Sequence, residues 1–306
     1  MKISVVIPVF RSKEALNLLY QRLCVVLEKH AHVFEIILVE DAGLDGSWTI
    51  IEQLMKGDPR VKGIQLLRNY GQHNALLCGI RQAKYDTVIT LDDDLQNPPE
   101  EIPKLINKLN EGYDVVYGYP LKEQHGFLRD CASQLTKLVL QNAMGAETSR
   151  HISAFRIFRT CLRDAFANYN APFVSIDVLL TWGTTRFTAI KVNHEKRTMG
   201  SSNYTFSKLM AHALNMVVGF STVPLQIASV VGFVLTVFGV LILFYVLGRF
   251  IFEGQVVPGF VFLASIIAIF SGAQMFALGV MGEYLLRIHS RTMEKPCYVI
   301  RKERAV

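Results

Sequence analysis

Asp92, Asp93 and Asp94 are consecutive carboxylates that follow the run Thr87-Val88-Ile89-Thr90-Leu91. That run predicts a buried strand, and Pro98-Pro99 predicts a turn just beyond the acids. Like charges clustered past a strand end repel one another. Two arrangements relieve the repulsion: a fully solvated turn, or a bound divalent cation. Hard carboxylate oxygens suit Mg²⁺ or Mn²⁺, and such ions bridge to phosphate groups.

The elements that must position these acids are legible in the hydrophobic pattern. Short β-branched runs at Ile3–Val9, Phe34–Val39, Val61–Leu67, Val88–Leu91 and Val115–Tyr117 predict strands. Between them, Glu14–Lys29 carries Leu16, Leu19, Leu23, Val26 and Leu27 at helical spacing. Further helices are expected after Ser47, over Asn74–Ala83 and over Pro99–Asn110, with Asp45 or Ser47 as a cap and proline near the start of the last. This alternation predicts an open parallel sheet covered by helices on both faces. Ligands of such sheets bind at the carboxyl ends of the strands, where Pro8, Asp41 and Asp92–Asp94 all fall. Residues 119–203 are less regular, with candidate helices near Phe127–Met144 and Val174–Trp182.

The chain has 306 residues, is 51% hydrophobic and carries a net charge of +6; its mean hydropathy is +0.28. The charge suggests an anionic partner. Nucleic acid is disfavoured, since no dense basic stripe or recognition motif is present. The five cysteines are scattered without a CxxC pair, which disfavours a zinc site or a disulfide framework. The amino-terminal apolar run is only a strand long and ends at Pro8, so it does not read as a signal peptide. Val223–Leu247 and Val256–Met281 lack charge, and each exceeds the roughly 20 residues that cross a bilayer core. Basic residues flank the pair, at Lys191, Lys196, Arg197 and Lys208 before it and from Arg287 onward after it. The positive-inside rule then puts both flanks in the cytoplasm. Residues 204–221 repeat apolar side chains at helical spacing with Lys208 and His212 between them, and fit either an interfacial helix or an ordinary core helix. The expected organisation is a domain over 1–203, an amphipathic helix over 204–221, two transmembrane helices over 222–286 and a basic cytoplasmic tail over 287–306.

The motifs, in this order, resemble family 2 glycosyltransferases of the GT-A fold, a Rossmann-like α/β class. More narrowly they resemble the polyprenyl-phosphate glycosyltransferases, such as dolichol-phosphate mannose synthase and its bacterial bactoprenol-phosphate relatives. Ser4-Val5-Val6-Ile7-Pro8-Val9-Phe10 is similar to the opening strand, and Val39-Glu40-Asp41-Ala42-Gly43-Leu44-Asp45-Gly46-Ser47 to the V-D-D-G-S-x-D-G-S turn. Arg68-Asn69-Tyr70-Gly71-Gln72-His73-Asn74-Ala75 matches a signature before the third helix, and Asp92-Asp93-Asp94-Leu95-Gln96 the D-x-D-L-Q element. The resemblance implies nucleotide binding by Pro8, Phe10, Glu14, Asp41, Arg68 and Asp92. For Glu14 a helix-start acid is the equal alternative, for Arg68 a structural turn; His73 reads as a surface or cap-adjacent residue. The resemblance also implies a Mg²⁺ or Mn²⁺ ion on Asp94 and Gln96 with Asp92 beside it, and Asp93 as a solvent-facing spacer. The ion would stabilise charge on a departing nucleoside diphosphate.

The implied acceptor is a polyprenyl monophosphate. It is already ionised near neutral pH, so it needs positioning by cations more than a strong base. Arg129 and Ser133, Arg156 in Ser153-Ala154-Phe155-Arg156, and Arg197 in Arg197-Thr198-Met199-Gly200-Ser201-Ser202-Asn203-Tyr204 match the elements that hold this phosphate. A guanidinium suits it geometrically. Asp177 stands where relatives have acidic or polar residues facing the acceptor. Two departures concern the phosphates: Pro120 stands where many relatives have arginine, with Lys122 as a nearby substitute, and Asn203 stands where many have lysine. The expectation is single-sugar transfer, with inversion, from a nucleotide-sugar donor (UDP-linked before GDP-linked) to undecaprenyl phosphate at the inner membrane. Asp94, Arg129 and Arg197 would be the catalytic residues, in a homo-oligomer such as a tetramer, by analogy with relatives. A processive polysaccharide synthase is the rival, disfavoured because the Gln-x-x-Arg-Trp motif is absent. A non-catalytic membrane scaffold is the second rival.

Overall fold

The computed structural model describes residues 1–120, 151–171, 173–195, 223–253 and 259–304. The chain forms two compact units: Met1–Ala213 with Glu294–Val306, and Leu214–Met293.

The first unit is built on an eight-stranded sheet, in the order β7-β5-β6-β4-β1-β2-β3-β8. Its centre is β1 (Lys2–Val9), β2 (Val33–Glu40), β3 (Val61–Leu66) and β4 (Thr87–Thr90), all parallel. Seven of eight residues in β1 and in β2 are buried, which explains why these segments are apolar at nearly every position. Helix α1 (Leu16–His30) buries Leu16, Leu19, Leu23, Val26 and Leu27, the stripe expected from its spacing. Together with α2 (Ser47–Gly57) and α4 (Ile102–Asn110) it covers one face of the sheet in a continuous core. Helix α3 (Gln72–Gln82) packs on the other face, against β1 and β2.

The sheet is not wholly parallel as the alternation predicts. A strand β6 (Arg156–Arg159) inserts antiparallel between β4 and β5 (Val115–Pro120). Beyond β5, a parallel β7 (Phe187–Val192) forms one edge, and α5 (Ile176–Thr181) precedes it. The other edge is β8 (Ile300–Arg304), antiparallel to β3. Residues 300–304 of the expected basic tail therefore form a strand of this sheet. Polar side chains at Arg301 and Lys302 suit an exposed edge, and the approach to the strand is pinned by Leu67 N–H on Val299 O at 3.0 Å and by buried Cys297.

The second unit contains α6 (Val223–Glu253) and α7 (Phe260–Thr292), packed on each other with Gly239 against the Phe270 ring. The helix runs six residues past the expected end of the hairpin. Stretches of 27 and 24 residues, Val223–Arg249 and Ile269–Thr292, are long and apolar enough to cross a membrane. Their large side chains face outward, Phe233, Phe244, Met275 and Phe276 among them. The expected helices at Phe127–Met144 and 204–221 lie outside the described residues.

Candidate active site

The acidic turn follows β4 and lies beside the carboxyl end of β1, because these two strands are neighbours. Its three carboxylates take three different partners. Asp92 Oδ1 accepts from Gln72 Nε2, at the start of α3, at 2.5 Å. Asp93 Oδ2 accepts from the Phe10 N–H at 2.9 Å. Asp94 Oδ1 accepts from the Gln96 N–H at 3.1 Å, a local Asx-type turn.

Asp93 thus departs from its expected role as a solvent-facing spacer. Phe10 lies just past β1, where its N–H has no ladder partner, and Asp93 supplies the missing acceptor. Burial lifts its carboxyl to about 6, against the opposing pull of the Ser12 and Phe10 donors. Asp94 keeps its second oxygen, Oδ2, without a hydrogen-bond partner among the described residues.

Among the described residues, no group of three His, Cys, Asp or Glu side chains could hold a metal by itself. The oxygens of Asp92, Asp94 and the Gln96 amide nevertheless fit Mg²⁺ or Mn²⁺. Mg²⁺ in particular is commonly held by one or two carboxylates, with substrate phosphates and water completing its shell.

The turn after β2 forms the adjacent wall. Asp41 is 3% exposed, and its oxygens accept from the N–H groups of Tyr70 at 2.7 Å and Gly71 at 2.8 Å. Burial raises its carboxyl to about 6, outweighing these two donors. Asp41 therefore ties the β2 turn to the loop that launches α3. In that loop the exposed Arg68 lies over the Tyr70 ring at 4.7 Å. Asp45 accepts from Ser47 N–H and Oγ and from Lys13 N–H, which makes it a turn residue as expected, while the N-cap position of α2 falls on Gly46 rather than on Asp45 or Ser47. Pro8 is buried at the end of β1, Phe10 is 36% exposed, and Glu14 is exposed in the turn before α1.

Backbone strain is concentrated on these loops. Four non-glycine residues have left-handed φ there: Arg11 (58°), Ala42 (52°), Leu44 (56°) and Leu95 (60°). Each costs on the order of 1 kcal/mol or more, and such conformations gather where ligands are held.

Arg156 and Asp177 sit deeper than expected of residues facing an acceptor. Arg156 is 2% exposed and ion-paired through Nη1 with Asp177, which is 8% exposed. The Tyr117 hydroxyl also donates to Asp177 Oδ1, at 3.1 Å. Burial, with the Asp177 charge beside it, pushes the Tyr117 hydroxyl well above its ordinary range. The physical reason is the position of β6 inside the sheet: a guanidinium there has no access to water and must be paired.

A fourth element closes on the acidic turn. After β7, Glu195 N–H donates to Gln96 O at 2.9 Å, and Asn193 Nδ2 donates to Glu101 Oε1 at 2.9 Å. Arg22 of α1 bridges Glu100 at 2.7 Å and Glu195 at 2.9 Å. Sequence reading missed Arg22, Gln72 and Glu195 as parts of the site's frame. Only Gln72 carried a signal, as a member of the segment Arg68–Ala75. Lys122, Arg129, Ser133, Arg197 and Asn203 lie outside the described residues.

Residues 4–167 match the profile of glycosyl transferase family 2. The chain belongs to that family. Near-full-length relatives agree with this membership. The undecaprenyl-phosphate 4-deoxy-4-formamido-L-arabinose transferase of Proteus mirabilis is 37% identical over 304 residues, covering 98% of this chain and 93% of the relative. The enzyme of the same name from Yersinia enterocolitica is 34% identical over the same shares. This family 2 member is thus a glycosyltransferase. Its fold is similar to that of glucosyl-3-phosphoglycerate synthase from Mycobacterium tuberculosis, solved with Mn²⁺, UDP and phosphoglyceric acid. The TM-score is 0.52 at 16% identity, over 71% of this chain and 76% of that one. The α/β unit of this glycosyltransferase accordingly has the GT-A fold.

Proposed function

We propose that this glycosyltransferase moves a single sugar from a nucleoside-diphosphate donor to undecaprenyl phosphate at the cytoplasmic face of the membrane. The observation that carries the reading is 34–37% identity, over nearly the whole of both chains, to transferases named for that acceptor. The two long apolar helices support a lipid acceptor, since they suit a chain held at a bilayer.

In this reading Asp41, with Pro8, Phe10 and Arg68 around it, receives the nucleotide, and the exposed Glu14 stays at the rim. Asp92, Asp94 and Gln96 hold Mg²⁺ or Mn²⁺. When bound, the ion offsets the negative charge that builds on the departing diphosphate. Asp93 keeps the acidic turn closed against the end of β1. Arg129, Ser133 and Arg197 orient the lipid phosphate, whose oxygen attacks the anomeric carbon from the face opposite the leaving group. Proximity of two anions is the chief obstacle, and cationic positioning is the means of overcoming it. Arg156 is left out of this clamp, because its guanidinium is committed to Asp177.

The test is a panel of UDP- and GDP-sugars, including UDP-4-deoxy-4-formamido-L-arabinose. Each is incubated with the purified full chain, undecaprenyl phosphate and Mg²⁺ or Mn²⁺, and the lipid is read by mass spectrometry. The expected product carries one sugar, and Asp94→Asn lowers the rate by about a hundredfold or more, the equivalent of roughly 3 kcal/mol. A ladder of products would instead mark a processive synthase. Nucleotide release with no lipid product, or Asp94→Asn activity near wild type without metal, would overturn the reading.

A further inference from the structure

Arg156 and Asp177 are buried and charged, and neither has a role in the transfer step just described. Two routes of hydrogen bonds connect them to the acidic turn. On the first, Arg156 Nε donates to Thr90 Oγ1 at 3.1 Å, and Thr90 Oγ1 donates to Ala154 O at 2.7 Å. Thr90 closes β4 and stands two residues before Asp92. On the second, Asp177 lies in the first turn of α5, whose Ile176 N–H donates to His73 Nδ1 at 3.3 Å. The neighbour of His73 in α3 is Gln72, which donates to Asp92 Oδ1 at 2.5 Å. The two routes reach Asp92 separately, one along its backbone from Thr90 and one at its carboxylate through Gln72. They close a ring.

We propose that Arg156, Asp177, His73 and Gln72 are positioning residues that fix the orientation of Asp92, and through it the metal-binding turn. The proposal rests on the reading of Asp92 and Asp94 as metal ligands. Three physical points carry it. A buried ion pair is a poor source of stability, and an apolar pair of similar volume would hold β6 and α5 together equally well. What the charged pair adds is direction: Arg156 bonds Thr90 and Asp177 at fixed angles, which packing alone would not impose. Next, Arg156 at 2% exposure is closed off from a phosphate in the cleft. Last, Asp177 Oδ1 already accepts from both Arg156 and Tyr117, which leaves it a structural acceptor rather than a base facing substrate. Groups that orient a metal ligand in this way govern affinity for the ion.

The experiment measures Mn²⁺ binding by electron paramagnetic resonance on the full-length protein in detergent with UDP present. One variant combines Arg156→Gln with Asp177→Asn, so that no unpaired ion is left in the interior. The other, Gln72→Ala, cuts the opposite arm of the ring at a half-buried residue. The dissociation constant for Mn²⁺ is expected to rise about tenfold in each, with KM for undecaprenyl phosphate unchanged. Mn²⁺ affinities within about twofold of wild type in both variants would sink the proposal. Unchanged Mn²⁺ affinity with a raised acceptor KM in the double variant would make Arg156 a phosphate ligand instead. A wild-type protein that binds no Mn²⁺ would overturn the metal reading itself, and the proposal with it. A wild type that binds Mn²⁺ while the variants bind it equally overturns the proposal alone.

Discussion

At the scale of single residues, the proposed function asks Asp41 to do two things with opposite pH dependence. Its carboxyl is lifted from an ordinary 3.8 to about 6. Between these values the folded chain holds a proton that the unfolded chain has released, so the stability from this group is full at low pH and is lost as pH rises through about 6. In the proposed reading Asp41 accepts a hydrogen bond from the nucleobase, and that role runs the other way, since the better acceptor is the anion that dominates above about 6. UDP affinity of the full chain should therefore fall by up to about tenfold per pH unit below 6, and Asp41→Asn should flatten that profile. Calorimetric titration with UDP between pH 5 and 7.5 reads both. A wild-type profile as flat as that of the variant would remove Asp41 from nucleotide recognition. Residue types and spacing made Asp41 and Asp92–Asp94 visible as a group. They did not reveal that Asp93 turns onto the end of β1, because that depends on an unpaired N–H at Phe10, 83 positions away. Nor did they reveal the Arg156–Asp177 pair, since the arginine motif looks the same whether its side chain meets phosphate or a buried carboxylate.

At the scale of elements, the position of α3 decides where Gln72 and His73 stand, and Gly79 sets that position. A Cβ at Gly79 would lie 2.4 Å from Val6 Cγ1 and 3.0 Å from Val39 Cγ2. Both are buried strand residues with nowhere to retreat. Gly79→Ala should destabilise the protein by about 1–3 kcal/mol, because overpacking outweighs the better helix propensity of alanine. Gly57→Ala, at the end of α2 with open space around it, should be neutral or stabilising by up to about 1 kcal/mol. Thermal unfolding of the two variants distinguishes packing from propensity; equal melting temperatures would refute the close contact. Periodicity made β1 to β5 and α1 to α4 legible to within a few residues, since each buries an apolar stripe or run of its own. It missed β6, β7 and β8. Arg156-Ile157-Phe158-Arg159 has charges at both ends, and Ile300-Arg301-Lys302-Glu303-Arg304 reads as a polar tail. Neither of these two is a strand by its own composition; β6 becomes one between β4 and β5, and β8 becomes one on the edge of β3.

At the scale of the whole chain, the path leaves the α/β unit, runs through α6 and α7, and returns to the same sheet as β8. Two membrane crossings bring a chain back to the side it started from, so this connectivity agrees with the basic flanks in putting both ends of the hairpin on one side. In a cysteine-free background, a cysteine at position 255, between α6 and α7, should react with a membrane-impermeant maleimide added outside intact cells. A cysteine at position 302 should not. Equal labelling of both positions would refute the hairpin.

The returning strand also imposes an order of events on synthesis. Among the described residues the outer edge of β3 is covered by residues 300–304, which leave the ribosome after every residue of both apolar helices. Throughout insertion of the hairpin, the nascent α/β unit exposes unpaired β3 backbone, the kind of edge that invites association with other chains. Completion of the catalytic sheet is thereby coupled to delivery of the chain to the membrane: the last strand cannot dock until the hairpin has been made.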